Sequence, residues 1–393
     1  MTHHDEDTAL ASAVEAVNTQ GFEAMGAALQ TLFNLAMRIE REQVLGAAPH
    51  ERSESRVGYA NGYKPKTVTT RVGVLDLQVP QVRARPGGEP IAFYPQALEK
   101  GLRSERALRL ALAEMYVQGV STRKVAAITE QLCGTGVTSM QVSRAAAELD
   151  ETLEAWRTRP LGACPYLVLD ARYEKVRQGG GVVDCAVLLA LGVRADGQRM
   201  LLGVSVALSE AEVHWRTFLE SLRARGLTGV RCTTSDAHAG LKAALRAQFA
   251  GVPWQRCQFH VQQNAQAYVP HVAQRAAVAA EIRGIFAARD RAEADDRLRQ
   301  MIAAWTKTAP RLAEWLETNV PEALTIFALP EAHRRRLRTS NAVERVNREI
   351  KRRTRVATLF PHEGSLLRLV TAIAAEISDE WETGKIYLTV EGA

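Results

Sequence analysis

The chain has 393 residues, about two to four domains' worth, and its 46% hydrophobic and 24% charged content excludes wholesale disorder. No window approaches the ~18 uninterrupted apolar residues of a membrane span and no signal peptide opens the chain, so a cytoplasmic protein without a membrane partner is expected. The net charge of +6 and pI of about 9.1 suit a polyanionic partner without proving one.

Residues 1–20 are polar or alanine-rich and are expected to be partly disordered. Residues 21–46 read as an amphipathic helix, with Phe22, Met25, Leu29, Leu32, Phe33 and Ala36 at helical spacing. It packs either on its own core or against a partner subunit. Residues 56–85 change to β-type runs (Val68, Val72, Val74, Leu75, Leu77, Val79), with turns predicted at Asn61-Gly62 and Val72-Gly73-Val74. Lys64, Lys66, Arg71, Arg83 and Arg85 surround these runs, and Tyr59 and Tyr63 interleave with them. That pattern suits a ribbon on a nucleic-acid backbone, or simply a solvated face. Arg85-Pro86-Gly87-Gly88 reads as a linker, so an N-terminal helix and basic β segment span 21–100.

Residues 101–158 read as a helix-turn-helix domain. A first helix runs from about Ser104 to Gln118 and stops at Gly119. Ser121 caps a second helix through Leu132 that carries Arg123. After the turn Cys133–Gly136, Ser139 is expected to cap a third helix bearing Gln141, Ser143 and Arg144, where such folds reach the major groove. A plain three-helix spacer fits the same pattern.

Residues 162–264 alternate strand and helix. Pro165-Tyr166-Leu167-Val168-Leu169-Asp170 reads as a short apolar strand ending on a carboxylate. Then come Gly179-Gly180-Gly181, the apolar run 182–193, the hairpin signal Asp196-Gly197 and a return strand over 200–208. A helix over 211–225 leads to a strand closing on Asp236, a helix over 238–249 and a short strand over 252–257. Three strands, helix, strand, helix, strand is the ribonuclease H-like α/β arrangement. The catalytic domain would take 159–264 and 336–393, interrupted by an all-α insertion over 265–335 and closed by helices at 339–354 and 363–381.

Asp170 and Asp236 end strands that neighbour each other in this fold, and Glu344 lies on the closing helix. Carboxylates supply the hard oxygen ligands that magnesium or manganese takes. Two such ions, about 3.5–4 Å apart, serve both the attacking and the leaving oxygen of a phosphodiester. Arg348, Lys351 and Arg352 follow Glu344 on its own helix face and suit a phosphate backbone. Cys257 and His260 have the spacing to begin a zinc site but lack a clear second pair, although His238 and His271 are available. The five cysteines are dispersed with no Cys-x-x-Cys, arguing against a disulfide framework and suggesting a reducing compartment.

Tyr59-Ala60-Asn61-Gly62-Tyr63-Lys64-Pro65, Leu77-Gln78-Val79-Pro80, Gly119-Val120-Ser121-Thr122-Arg123, Leu169-Asp170-Ala171 with Lys175 and Arg177, Ser235–Leu241, Trp254–Cys257 with His260, and Asn341–Arg345 together resemble the Mutator-type bacterial insertion-sequence transposases. The resemblance spans most of the chain. It implies a DDE triad of Asp170, Asp236 and Glu344 holding two Mg2+ (or Mn2+) ions, with Cys257, His260 and His238 supporting the site. It also implies binding of double-stranded DNA at terminal inverted repeats, with Arg123, Arg144, Lys175 and Arg177 among the candidate contacts. Transposition typically runs through a circular intermediate, in a homodimer associated with the nucleoid. Gln263, before Asn264, departs from the family pattern, where Arg is expected. A ribonuclease H-like structure-selective nuclease and a catalytically silent DNA-binding regulator are the alternatives.

Overall fold

The computed structural model describes residues 2–48, 50–101, 103–134, 136–355 and 359–389. The chain divides into two compact units, Met1–Glu148 and Leu149–Ala393. Both α-helices and β-sheets are present, so the protein is mixed α/β.

In the first unit, α1 (Thr2–Gln20) is a helix where partial disorder was expected. A 3-10 turn at Gly21–Ala24 leads into α2 (Met25–Leu45), which ends on left-handed Gly46 (φ 67°). Leu29 and Phe33 pack with Met37 on Leu75, Leu77 and Val79, but Phe22 falls in the 3-10 turn and is 93% exposed. β1 (Gly58–Thr70) and β2 (Gly73–Ala84) form an antiparallel ribbon closed between Thr70 and Gly73. Asn61-Gly62 is not a turn: the register shifts between Ala60 and Tyr63, and Gly62 (φ 73°) sits in that irregularity inside β1. An isolated two-stranded ribbon is marginal in water. Here α2 supports it, because Gln30 Oε1 accepts the Asp76 N–H and Asn34 Oδ1 accepts the Gln78 N–H, each at 2.9 Å.

Three helices follow: α3 (Arg106–Val117), α4 (Thr122–Cys133) and α5 (Ser139–Ala147). Ser121 caps α4 by accepting the Lys124 N–H. Thr138, not Ser139, caps α5 in a reciprocal box with Gln141. Thr135 in the preceding turn lies outside the described residues.

The second unit begins with α6 (Asp150–Thr158). This helix belongs here and not with the three before it, because Arg368 Nε and Nη2 grip Asp150 at 2.7 Å each. Then come β3 (Tyr166–Gln178), β4 (Gly181–Val193), β5 (Arg199–Ala207), α7 (Glu212–Ala224), β6 (Cys232–Ser235), α8 (Ala239–Gln248), β7 (Trp254–Arg256) and α9 (Gln258–Ala265). The sheet order is β5-β4-β3-β6-β7, antiparallel in the first two pairings and parallel in the last two.

β3 does not end at Asp170. It runs eight residues further, paired with β4 to the Gly179-Gly180 turn, where both glycines take positive φ (56° and 83°). The apolar run stops at Asp170 because the continuation alternates charged residues, not because the strand stops.

Side chains alternate across β3. Leu167 and Leu169 share a core with Trp215 and Leu219 of α7 and Leu241 of α8. Tyr166 and Val168 pack on the other face, in a core shared with α14 (Asn341–Thr354) and α15 (Glu363–Glu382). Between these faces in sequence come α10 (Arg275–Phe286), α11 (Arg291–Trp305), α12 (Pro310–Asn319) and α13 (Glu331–Leu337). Residues from Val261 to Leu324 build a separate core around Ile282, Leu298, Leu312 and Leu316. Among the described residues no helix is long and apolar enough to cross a membrane.

Candidate active site

The parallel register between β3 and β6 pairs Tyr166 with Cys232 and Val168 with Thr234. Continued two residues, past the end of β6, it leads to Asp170 and Asp236, from strands about 4.8 Å apart. Asp170 shares the side-chain parity of Tyr166 and Val168, so it belongs to the face covered by α14, and Asp236 follows β6 directly in the loop to α8. The β6–β7 register, continued one residue, sets Asp236 beside Cys257, whose N–H donates to Ser235 O at 2.7 Å.

α14 is drawn over this edge by four bonds near its start. Thr234 Oγ1 donates to Leu337 O at 2.8 Å, and the Gln258 N–H donates to Arg338 O at 3.0 Å. The buried Cys257 Sγ accepts both the N–H and the O–H of Ser340 at 3.4 Å. Glu344 follows on the first turn of α14, half-buried. One turn later Asn347 Nδ2 donates to Asp170 Oδ2 at 2.8 Å.

Electrostatics joins the three acids. Burial pushes the Asp170 carboxyl up to about 7; the nearby His260 pulls it down, and the charges of Asp236 and Glu344 raise it further. His260 is held up at about 9, chiefly by its hydrogen bond to Cys257, against burial and with help from Asp170 and Asp236. Burial alone would raise the Cys257 thiol, but His260 and Ser340 outweigh it and leave it lowered. Cys257 Sγ is therefore engaged by Ser340 and electrostatically linked to His260, whose Nδ1 is buried with no hydrogen-bond partner. His238 donates its backbone N–H to Asp236 Oδ1 at 3.2 Å, while its ring Nδ1 lies 3.9 Å from Glu210 Oε2.

Among the described residues no three His, Cys, Asp or Glu side chains stand close enough together to hold a metal ion. The donor set nonetheless suits a hard divalent cation. Asp170 is a carboxylate only 8% exposed that faces two like charges, and Asn347 Oδ1 is buried with no partner. A cation at the Asp170 carboxylate would offset the like charges facing it.

A family profile described as "Transposase, Mutator family" matches residues 1–384. The chain belongs to that family. It is 57% identical over 390 residues to the transposase for insertion sequence element IS406 of Burkholderia multivorans, covering 99% of each chain. It is 41% identical over 392 residues to the transposase for insertion sequence element ISRM5 of Rhizobium meliloti, covering 100% of this chain and 96% of that one. Identity to the transposase for insertion sequence element IS256 in transposon Tn4001 of Staphylococcus aureus is 37% over 358 residues, 90% of each chain.

The basic residues of this Mutator-family chain differ in their availability. Arg123, Arg144, Arg177, Arg348 and Lys351 are exposed. Lys175 is paired with Asp184 at 3.1 Å, and Arg352 with Glu349 at 2.6 Å. Four residues near the acids belong to no recognisable sequence motif: Arg172, Glu174, Glu210 and Asn347. Arg172 and Glu174 share the strand parity of Asp170, and Asn347 lies one turn from Glu344, so spacing holds their signal once β3 is known to continue.

Proposed function

We propose that this chain is a DDE-type transposase of ribonuclease H-like fold, with Asp170, Asp236 and Glu344 as its catalytic carboxylates. It binds the terminal inverted repeats of its element and performs cation-dependent strand cleavage and strand transfer, in the bacterial cytoplasm and as a homodimer that brings two ends together. The observation that carries the reading is the parallel β3–β6 register leading to Asp170 and Asp236, with Asp236 and Glu344 both close enough to raise Asp170. The helices α3 to α5 form the helix-turn-helix that docks the repeat, with Arg123 and Arg144 facing the DNA.

Asp170, Asp236 and Glu344 would hold two Mg2+ or Mn2+ ions, which when bound activate the attacking oxygen and stabilise the leaving one. The protein's own part is positioning. Asp170 and Asp236 present oxygens from a rigid sheet, and Glu344 approaches from the helix laid across it. His260, kept protonated by Cys257, offsets part of the carboxylates' charge. No side-chain nucleophile is needed: water, or a terminal 3′ hydroxyl, attacks the phosphodiester.

The test is strand transfer of a labelled terminal repeat with magnesium. Wild type is expected to cleave and join; Glu344→Gln loses both and still binds the repeat. Cleavage of branched or duplex DNA without joining would instead favour a structure-selective nuclease. Identical behaviour of wild type and Asp170→Asn in every cutting assay would indicate a silent DNA-binding regulator.

A further inference from the structure

Three consecutive same-face residues of β3 reach α14. Asp170 Oδ2 accepts from Asn347 Nδ2 at 2.8 Å. Arg172 Nη1 donates to the backbone O of the same Asn347. Glu174 Oε1 accepts from Thr354 Oγ1 at 3.0 Å and is clasped by Arg172, whose Nη2 lies 2.6 Å away. Every second strand residue therefore meets the helix, and Asn347 is touched twice.

Asn347 is not a filler of the helix face. An ionised Asp170 can only accept, so the amide must present its NH2 to that carboxylate. This turns Oδ1 away, and that oxygen is buried without a partner. A buried, unanswered acceptor costs about 1–3 kcal/mol. Retaining one beside an acidic cluster makes sense if the amide's orientation serves the acid.

We propose that Asn347 is a positioning residue for Asp170: its Nδ2 fixes Oδ2 and so aims the remaining carboxylate oxygen at the cation, while Arg172 and Glu174 lock the helix register that places Asn347 and Glu344 together. The inference rests on the acids binding divalent cation, as proposed above. Outer partners of metal ligands typically change metal affinity by about 10–100-fold when removed. Replacing Asn347 by Leu keeps the bulk and removes the donor; replacing it by Asp keeps the shape and sets a second carboxylate against the first. The proposal does not require Asn347 to touch the ion.

The experiment is Mn2+ titration of the full chain without DNA, followed by calorimetry, with thermal unfolding in EDTA as the folding control. Wild type, Asn347→Leu, Asn347→Asp, Arg172→Met and Asp170→Asn are compared. The expected result is a roughly 10–100-fold loss of Mn2+ affinity in Asn347→Leu with unfolding close to wild type. Arg172→Met should show a smaller loss in the same direction, because it removes the lock and not the donor. Mn2+ affinity in Asn347→Leu equal to wild type, with Asp170→Asn abolishing binding, overturns the positioning role and leaves the site intact. If Asp170→Asn binds Mn2+ as well as wild type, the acidic site itself is wrong and the inference falls with it.

Discussion

Asp170 of β3 and Asp236, the residue directly after β6, leave neighbouring parallel strands whose register pairs Val168 with Thr234 two residues before each acid. Asp170 lies inside β3, with β4 continuing beside it, and Asp236 follows directly where the shorter β6 stops. The free edge left beyond β6 is where α14 brings Glu344.

The buried carboxylate predicts a pH-dependent stability. In the metal-free fold Asp170 binds its proton more tightly than an unfolded carboxyl near 3.8, so ionisation is penalised above that value and fully so above about 7. Asp170→Asn should therefore stabilise the EDTA-treated protein at pH 8, by up to about 4 kcal/mol. The gain should shrink through pH 7 and vanish near pH 4. Asp236 and Glu344 raise the penalty and His260 lowers it. Urea unfolding at pH 4.5, 6 and 8 checks this; a gain independent of pH would contradict it.

Gly240 marks a close approach between two turns beside the site. A Cβ there would stand 2.3 Å from Glu210 O and 2.8 Å from Glu212 N, both backbone atoms that cannot swing aside. Gly240→Ala should destabilise by about 1–3 kcal/mol. A melting temperature equal to wild type would show that the β5–α7 and β6–α8 turns have room to part.

Cys257 acts as an acceptor at the root of α14. Cys257→Ala leaves the buried N–H and O–H of Ser340 without that partner, which costs about 1–3 kcal/mol. Cys257→Ser keeps an acceptor and should lose less. Strand cleavage should fall in the alanine variant while repeat binding stays near wild type. Equal stability of the two variants would remove the structural role.

The three-helix region makes its own prediction. If Arg123 and Arg144 each neutralise one phosphate, the double alanine variant should bind the terminal repeat more weakly and lower the slope of log affinity against log salt by about 1.8. An unchanged slope would move the contact elsewhere. Gln141 is a poorer candidate for reading bases, because its side chain closes the α5 capping box.

Much of this arrangement was legible from local pattern. Apolar runs, glycine turns and the Ser121 cap marked the elements, and the alternation of strand and helix pointed to neighbouring strands for the two aspartates. What failed was local information with a tertiary answer. The charges after Asp170 suggested a strand end, but a charged strand half is stable when β4 pairs with it and α14 answers Arg172 and Glu174. Asn61-Gly62 has turn chemistry and serves a bulge, since the ribbon turns instead between Thr70 and Gly73. Phe22 fits a helical stripe in one dimension, yet a 3-10 turn rotates it into solvent. Asn347 gave no chemical signal at all, because its partner is 177 residues away.

Anomalous diffraction from Mn2+-soaked crystals shows whether Asp170, Asp236 and Glu344 serve one cation site. The expected result is anomalous peaks at the β3–β6 edge, with oxygens of Asp170 and Asp236 sharing an ion and Glu344 ligating the same cluster. Ions bound elsewhere, or the three carboxylates each facing separate peaks, would contradict it.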